Sequence, residues 1–117
     1  MPTIRDLVAA IRDRKGVEAA VILGRDGLPI DSQTTSSVDA EQVAAHVPSV
    51  LLAAEELGAS GHLGALRTAV LEHERGYAIV ASVSPDAVLL VLVQPTANLV
   101  QLLYELRRNR ANIAALV

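Results

Sequence analysis

The sequence contains no cysteine, phenylalanine or tryptophan, and only two tyrosines among its 117 residues. A chain without cysteine can form neither disulfide bonds nor thiolate metal sites, and it has no thiol nucleophile. This composition fits a cytoplasmic protein. Because large aromatic side chains are nearly absent, the core has to be built from Val, Leu, Ile and Ala.

The chain also lacks any concentration of positive charge. Its net charge is −3 and its ten basic residues are scattered, which leaves no basic patch for nucleic acid. Several charged side chains within residues 1–15 exclude the apolar core of a signal peptide. Apolar residues make up 51% of the chain, and this predicts one compact domain over residues 1–117.

The run AVLLVLV at 87–93 is apolar at every position. A strand with one face in water alternates apolar and polar residues, so this strand has to be covered on both faces. The run is too short to cross a membrane as a helix, which needs roughly 20 apolar residues. Flanking prolines and β-branched valines favour a central strand over a buried helix. The pattern therefore predicts a sheet with helices on both sides.

The other elements follow from helical and strand periodicity. Three helices are expected, with Thr3, Asp39 and Thr96 as their N-caps. Four further segments have the pattern of strands. With the central run, the five predicted strands are 17–23, 28–33, 65–72, 77–83 and 87–93. The predicted order of elements is α-β-β-α-β-β-β-α. Most of these strands follow one another through tight turns, which predicts an α+β fold with a mainly antiparallel sheet.

The predicted second helix has a clear N-terminal capping signal and an interrupting proline. Asp39 and Gln42 have the spacing of a capping box. Pro48 interrupts the helix that carries the apolar stripe, and it is expected to kink this helix or to divide it in two. The stripe consists of Val43, Val47, Val50, Leu51, Ala54 and Leu57. The face opposite the stripe is less polar than a simple solvated face; its residues are Glu41, Ala45, Pro48, Leu52 and Glu55.

No group of residues has the spacing of a catalytic or metal site. His46, His62 and His73 do not form a metal-binding motif, and we interpret them as surface histidines. The glycine series at 58–64 follows a helix and precedes a strand, the reverse of a phosphate-binding loop. We therefore predict a non-catalytic protein with no cofactor and no metal.

The strand at 65–72 is expected to be an edge strand, because it follows a loop and can pair only with the next strand. A long edge that carries few charges either is protected by those charges and by twist, or pairs with another chain. We favour edge-to-edge pairing in a homodimer, with the second helix of each chain above the joined sheets.

Four segments give the chain a resemblance to the Roadblock dynein-light-chain family, in particular to its bacterial gliding-protein members. They are GRDGLPIDS at 24–32, RGY at 75–77, AVLLVLV at 87–93 and ANLVQLLYELRRN at 97–109. The resemblance implies a three-layer sandwich with the strand order 2-1-5-4-3. It also implies a homodimer joined through the third strands and the second helices. We assign this interface to Ala65, Arg67, Ala69, Val70, Leu71, Val47 and Leu51.

Bacterial relatives in this family regulate small Ras-like GTPases without hydrolytic residues of their own. The resemblance therefore implies a GTPase-binding dimer, and the less polar helix face of Glu41, Ala45, Pro48, Leu52 and Glu55 is its expected contact surface. The main alternative is a structural subunit or scaffold of a motor, polarity or membrane-tethered complex, with no effect on GTPase activity. A small-ligand sensor would instead require a sizeable internal pocket.

Overall fold

The computed structural model describes residues 2–117, which fold into five helices and one five-stranded antiparallel sheet. The helices are α1 (Ile4–Arg12), α2 (Ala40–Ala45), α3 (Val47–Ser60), α4 (Leu99–Arg108) and α5 (Arg110–Ala114). The strands are β1 (Val17–Gly24), β2 (Pro29–Thr34), β3 (Thr68–His73), β4 (Gly76–Ser82) and β5 (Ala87–Val93). The strand order is β2-β1-β5-β4-β3, which confirms the predicted fold class and topology.

Strand β5 lies at the centre of the sheet, paired on one side with β1 and on the other with β4. Every residue of β5 except Leu92 is buried. Leu89 and Val91 point into a cluster formed with α1, α4 and α5, whereas Val88 and Leu90 point into a second cluster formed with α2 and α3. The three-layer prediction is therefore correct, and its physical reason is the double burial of this strand.

Side-chain caps fix the starts of two helices as the sequence predicts. Thr3 and Asp6 form a reciprocal capping box, in which each backbone N–H donates to the other side chain at 2.9 and 3.2 Å. Asp39 accepts from the backbone N–H groups of Glu41 and Gln42, but the side chain of Gln42 makes no return bond to the N–H of Asp39, so the predicted capping box is only half formed. These bonds satisfy donors that have no partner within the first helical turn.

Pro48 divides the predicted second helix into α2 and α3, with His46 between them. The proline occupies the first turn of α3, where the N–H that it lacks would have no helical acceptor in any case. The division therefore occurs without loss of a helical hydrogen bond at the proline itself.

The predicted boundaries are wrong at the start of the last helix, at the end of the second helix and at the start of the third strand. Asn98, rather than Thr96, caps the last helix through a bond from the backbone N–H of Gln101 to its side chain, and that helix is interrupted at Asn109. Helix α3 continues through Gly58 to Ser60, so the loop after it extends further and β3 begins at Thr68 rather than at residue 65. No helix in residues 2–117 is both long and apolar enough to span a membrane.

Candidate functional site

The titratable side chains of residues 2–117 do not assemble into a metal centre, since no three His, Asp or Glu residues lie close enough to share an ion. The three histidines are exposed: His46 lies between α2 and α3, His62 lies in the loop after α3, and His73 ends β3. The features that remain as candidates are surfaces.

The first surface is the outer side of β3, which pairs with β4 and with no other strand among the described residues. An open groove, here called the edge groove, runs along this strand; α3 and the loop after it line the groove on one side of the sheet, and α4 and α5 line it on the other. Its apolar walls are formed by Val50, Ala54, Leu57, Leu63, Leu66, Ala69, Val70 and Leu71. Leu57 is 71% exposed and Leu63 is 78% exposed, so large apolar side chains border an unpaired strand.

The hydrogen bonds to β4 determine which backbone groups of β3 remain unpaired. Arg67 accepts a bond from the backbone N–H of Ser82 at 2.9 Å. Because antiparallel pairs alternate between bonded and non-bonded positions, the register of β3 on β4 directs the backbone groups of Ala69 and Leu71 inward. The N–H and C=O groups of the intervening residues Thr68, Val70 and Glu72 point to the free edge.

The structure brings together part of the predicted dimer interface. Ala69, Val70 and Leu71 lie on β3, while Ala65 and Arg67 lie in the loop before it and line the edge groove. Val47 and Leu51 do not belong to this surface, because they are buried at 3% exposure against the sheet of their own chain. Their place on the groove is taken by other α3 residues, Val50, Ala54 and Leu57.

The second surface, here called the outer helix face, consists of Glu41, Ala45, Pro48, Leu52 and Glu55. Four of these residues are exposed, and Leu52 is 60% exposed. Pro48 is half-buried because its ring packs on the β1–β2 turn at Gly27. Four of the five predicted contact residues are therefore accessible on either side of the break between α2 and α3, and Pro48 is partly covered.

Arg25 connects the β1–β2 turn to two other parts of the fold, a role that sequence reasoning missed. Its guanidinium donates to the hydroxyl of Ser82 at 2.6 Å and to the carbonyl of Ser84 at 3.5 Å. A second nitrogen lies 3.6 Å from the carboxylate of Glu55. The sequence offers no local signal for these contacts, since Arg25 and Ser82 are 57 residues apart.

Three arginines, Arg67, Arg107 and Arg110, also line the edge groove. No carboxylate of residues 2–117 lies within 4.0 Å of their guanidinium groups, because the ion pairs in this range involve Arg14 and Arg25. The guanidinium of Arg110 donates to the carbonyl of Arg67 at 3.5 Å. Partial burial, and after it the positive charge of Arg67, lower the pKa of Arg110 from its ordinary value.

Comparison with known proteins places this geometry in a family. Residues 3–93 match the model of the Roadblock/LC7 domain. The chain belongs to the Roadblock/LC7 family. Two uncharacterized proteins of Methanocaldococcus jannaschii are each 31% identical to it over 102 residues, which cover 87% of this chain and 89% of each relative.

Solved structures of Roadblock/LC7 domains and gliding proteins have the same fold. The Roadblock/LC7 domain from Streptomyces avermitilis superposes with a TM-score of 0.86 at 22% identity, covering 97% of both chains. The gliding protein MglB from Thermus thermophilus gives a TM-score of 0.84 at 16% identity, over 97% of this chain and 87% of that one. Myxococcus xanthus MglB gives 0.85 at 13% identity, over 96% and 92%. At these identities the likeness establishes the fold.

Proposed function

We propose that the protein is a cytoplasmic, non-catalytic homodimer that binds a small Ras-like GTPase and regulates its nucleotide hydrolysis or exchange. The observation that carries the proposal is the apolar edge groove beside an unpaired strand. Membership of the Roadblock/LC7 family supports it, because members of this family are generally regulatory or adaptor domains. The likeness of fold to MglB gliding proteins supports the GTPase as the partner class.

Two features that meet at β3 support the proposed dimer. The strand presents unpaired backbone groups, and such an edge is a template for pairing with another chain. Exposed Leu57 and Leu63 lie beside it, and their burial would contribute about 25 cal/mol for each Å² of apolar surface removed from water. Pairing through a two-fold axis would satisfy the edge and cover the groove together.

The GTPase would bind across the outer helix faces of the two copies. Antiparallel pairing about a two-fold axis perpendicular to the sheet keeps α3 of both chains on the same side of the joined sheet. The exposed Leu52 would supply an apolar anchor, with Glu41 and Glu55 at its rim. A nitrogen of Arg25, in the neighbouring turn, lies 3.6 Å from the carboxylate of Glu55.

Molar mass in solution tests the dimer. We expect light scattering to give a dimer for the native protein and a folded monomer for Val70→Asp, because this substitution places a carboxylate at the centre of the free edge. Val100→Asp is the matched control: Val100 is 78% exposed on α4, away from the edge, and this variant should remain dimeric. A dimeric Val70→Asp would overturn the edge-pairing proposal.

The rate of nucleotide hydrolysis or exchange tests whether a Ras-like GTPase is the partner. The native protein is mixed with Ras-like GTPases from the same genome, and we expect a complex with altered hydrolysis or exchange. Leu52→Asp should abolish the effect while leaving the dimer intact, whereas Val100→Asp should retain it. A complex without a change in turnover would favour the scaffold alternative, and the absence of any complex would remove the GTPase proposal while leaving the dimer standing.

A further inference from the structure

The pattern of free backbone groups on β3 favours one register for the homodimer proposed above, on which the pairing described below depends. Thr68, Val70 and Glu72 direct their N–H and C=O groups outward. In the register called centred here, Val70 faces Val70 of the second copy, and Thr68 of each copy faces Glu72 of the other. All three residues then have hydrogen-bond partners. A shift by two residues in either direction leaves one of the three without a partner in the strand. The centred register therefore forms about six backbone hydrogen bonds, two for each facing pair.

The same three residues share one face of the sheet. They lie opposite Ala81, Ile79 and Tyr77 of β4, and these partners pack in the cluster formed with α1, α4 and α5. Since directly facing residues of an antiparallel pair project from the same side of a sheet, the side chain of Glu72 lies on the side that carries α4 and α5.

Two opposite charges on this side of the sheet, Glu72 and Arg110, form no ion pair within residues 2–117 of one chain. Glu72 is exposed, and its carboxylate has no cation within 4.0 Å among residues 2–117. Arg110, on the same side, contacts the carbonyl of Arg67 next to Thr68. Within one chain, four residues of extended strand separate Thr68 from Glu72, a distance of about 13 Å.

The centred register removes this separation. Glu72 of the second copy faces Thr68, one strand spacing or about 4.8 Å away, and thus lies beside the end of the strand that Arg110 contacts. We propose that Glu72 of each copy forms an ion pair with Arg110 of the other, with Arg107 as the adjacent cation, and that these two symmetric pairs fix the register of the homodimer.

The positive charge of Arg67 makes the neighbouring Arg110 a suitable partner for a carboxylate of the second copy. The nearby positive charge of Arg67 disfavours the charged guanidinium and, after burial, contributes to its lowered pKa. A carboxylate at this position would offset the repulsion between the two arginines. The same arrangement opposes a register that would bring a basic residue of the second copy to this point, since like charges facing each other across strands are destabilising.

Charge reversal tests the pairing. Arg110→Glu and Glu72→Arg each replace two attractive contacts by two repulsive ones in the homodimer. We expect each variant to raise the dimer dissociation constant on the order of 30-fold, as measured by sedimentation at low salt. Arg108→Glu is the matched control, because it makes the same charge change on α4 outside the edge groove. Circular dichroism should show that all three variants are folded.

Combining the two charge reversals distinguishes the loss of a specific ion pair from a general disturbance of the interface. The variant with both substitutions on one chain should return to the native dissociation constant. A mixture of Arg110→Glu chains with Glu72→Arg chains should form heterodimers in preference to either homodimer, because both contacts are then complementary.

The outcomes distinguish the pairing from the dimer itself. A native protein that stays monomeric at all concentrations would overturn the proposed dimer, and the ion pair with it. A native dimer that neither reversal weakens, that only one reversal weakens, or that the recombined charges do not restore would overturn the ion pair and leave the proposed dimer intact.

Discussion

The ring of Pro48 packs directly on the backbone of Gly27. A Cβ atom built on Gly27 would stand 3.1 Å from Cγ of Pro48 and 3.4 Å from the carbonyl oxygen of Ala44. Gly27 also has a φ of +91°, a conformation that L side chains rarely adopt. The contact joins the β1–β2 turn to the first turn of α3, so the proline that divides the helix also anchors it on the sheet.

Replacement of Gly27 by alanine should separate these two effects. We expect Gly27→Ala to lower the free energy of unfolding by about 2–4 kcal/mol, of which about 1–2 kcal/mol is backbone strain and the rest is crowding against Pro48. In a Pro48→Ala background only the strain should remain. Urea unfolding of the four members of this cycle measures the coupling, and an equal cost of Gly27→Ala in both backgrounds would contradict the packing account.

Arg25 should contribute to stability through Ser82 more than through Glu55. Ser82 is the buried polar side chain at 7% exposure, and Arg25→Ala would leave its hydroxyl without this donor, at a cost of about 1–3 kcal/mol. The pair with Glu55 is 3.6 Å long and partly exposed, so Glu55→Gln should cost at most about 1 kcal/mol. Urea unfolding midpoints of the two variants give the comparison.

A third variant controls for the hydroxyl itself. Ser82→Ala introduced into Arg25→Ala should recover part of the lost stability, because no buried hydroxyl then lacks a partner. A Glu55→Gln variant that is destabilised as strongly as Arg25→Ala would show that the ion pair, and not the hydrogen bond, holds the turn.

The features that the sequence predicted correctly are those determined by neighbouring residues. The apolar run at 87–93 matches β5 residue for residue, because seven consecutive apolar side chains have to be covered on all sides and the flanking prolines and β-branched valines favour a strand over a buried helix. Thr3 and Asp39 were recognised as caps because an N-cap acts on donors only two or three residues away. In both cases the deciding interactions lie within a short window of the chain.

The wrong predictions concern features that depend on contacts between residues far apart in the sequence. Gly58 is typical of a helix stop, yet α3 continues past it to Ser60. The chain leaves the helix only at Gly61 and turns through positive φ at His62 and Gly64. Helical periodicity also placed Val47, Leu51 and Val50 in a single stripe. In the structure Val47 and Leu51 are buried against the sheet, whereas Val50 is only partly buried: it packs against the same cluster and also lines the edge groove, because α3 lies close to the β3 edge of the sheet. Spacing alone could not make that distinction.

The central strand provides a direct test of the layered core through two leucines on the same face of β5. Leu90 is 3% exposed and packs against α2 and α3, whereas Leu92, two residues on, is only partly buried. We expect Leu90→Ala to cost about 2–5 kcal/mol through the cavity that it leaves, and Leu92→Ala to cost clearly less, because a half-exposed site loses fewer contacts and can be reached by water. Thermal and urea unfolding of both variants would measure the difference. Equal losses would mean that the two positions are buried alike, and the placement of α3 over the sheet would then have to be revised.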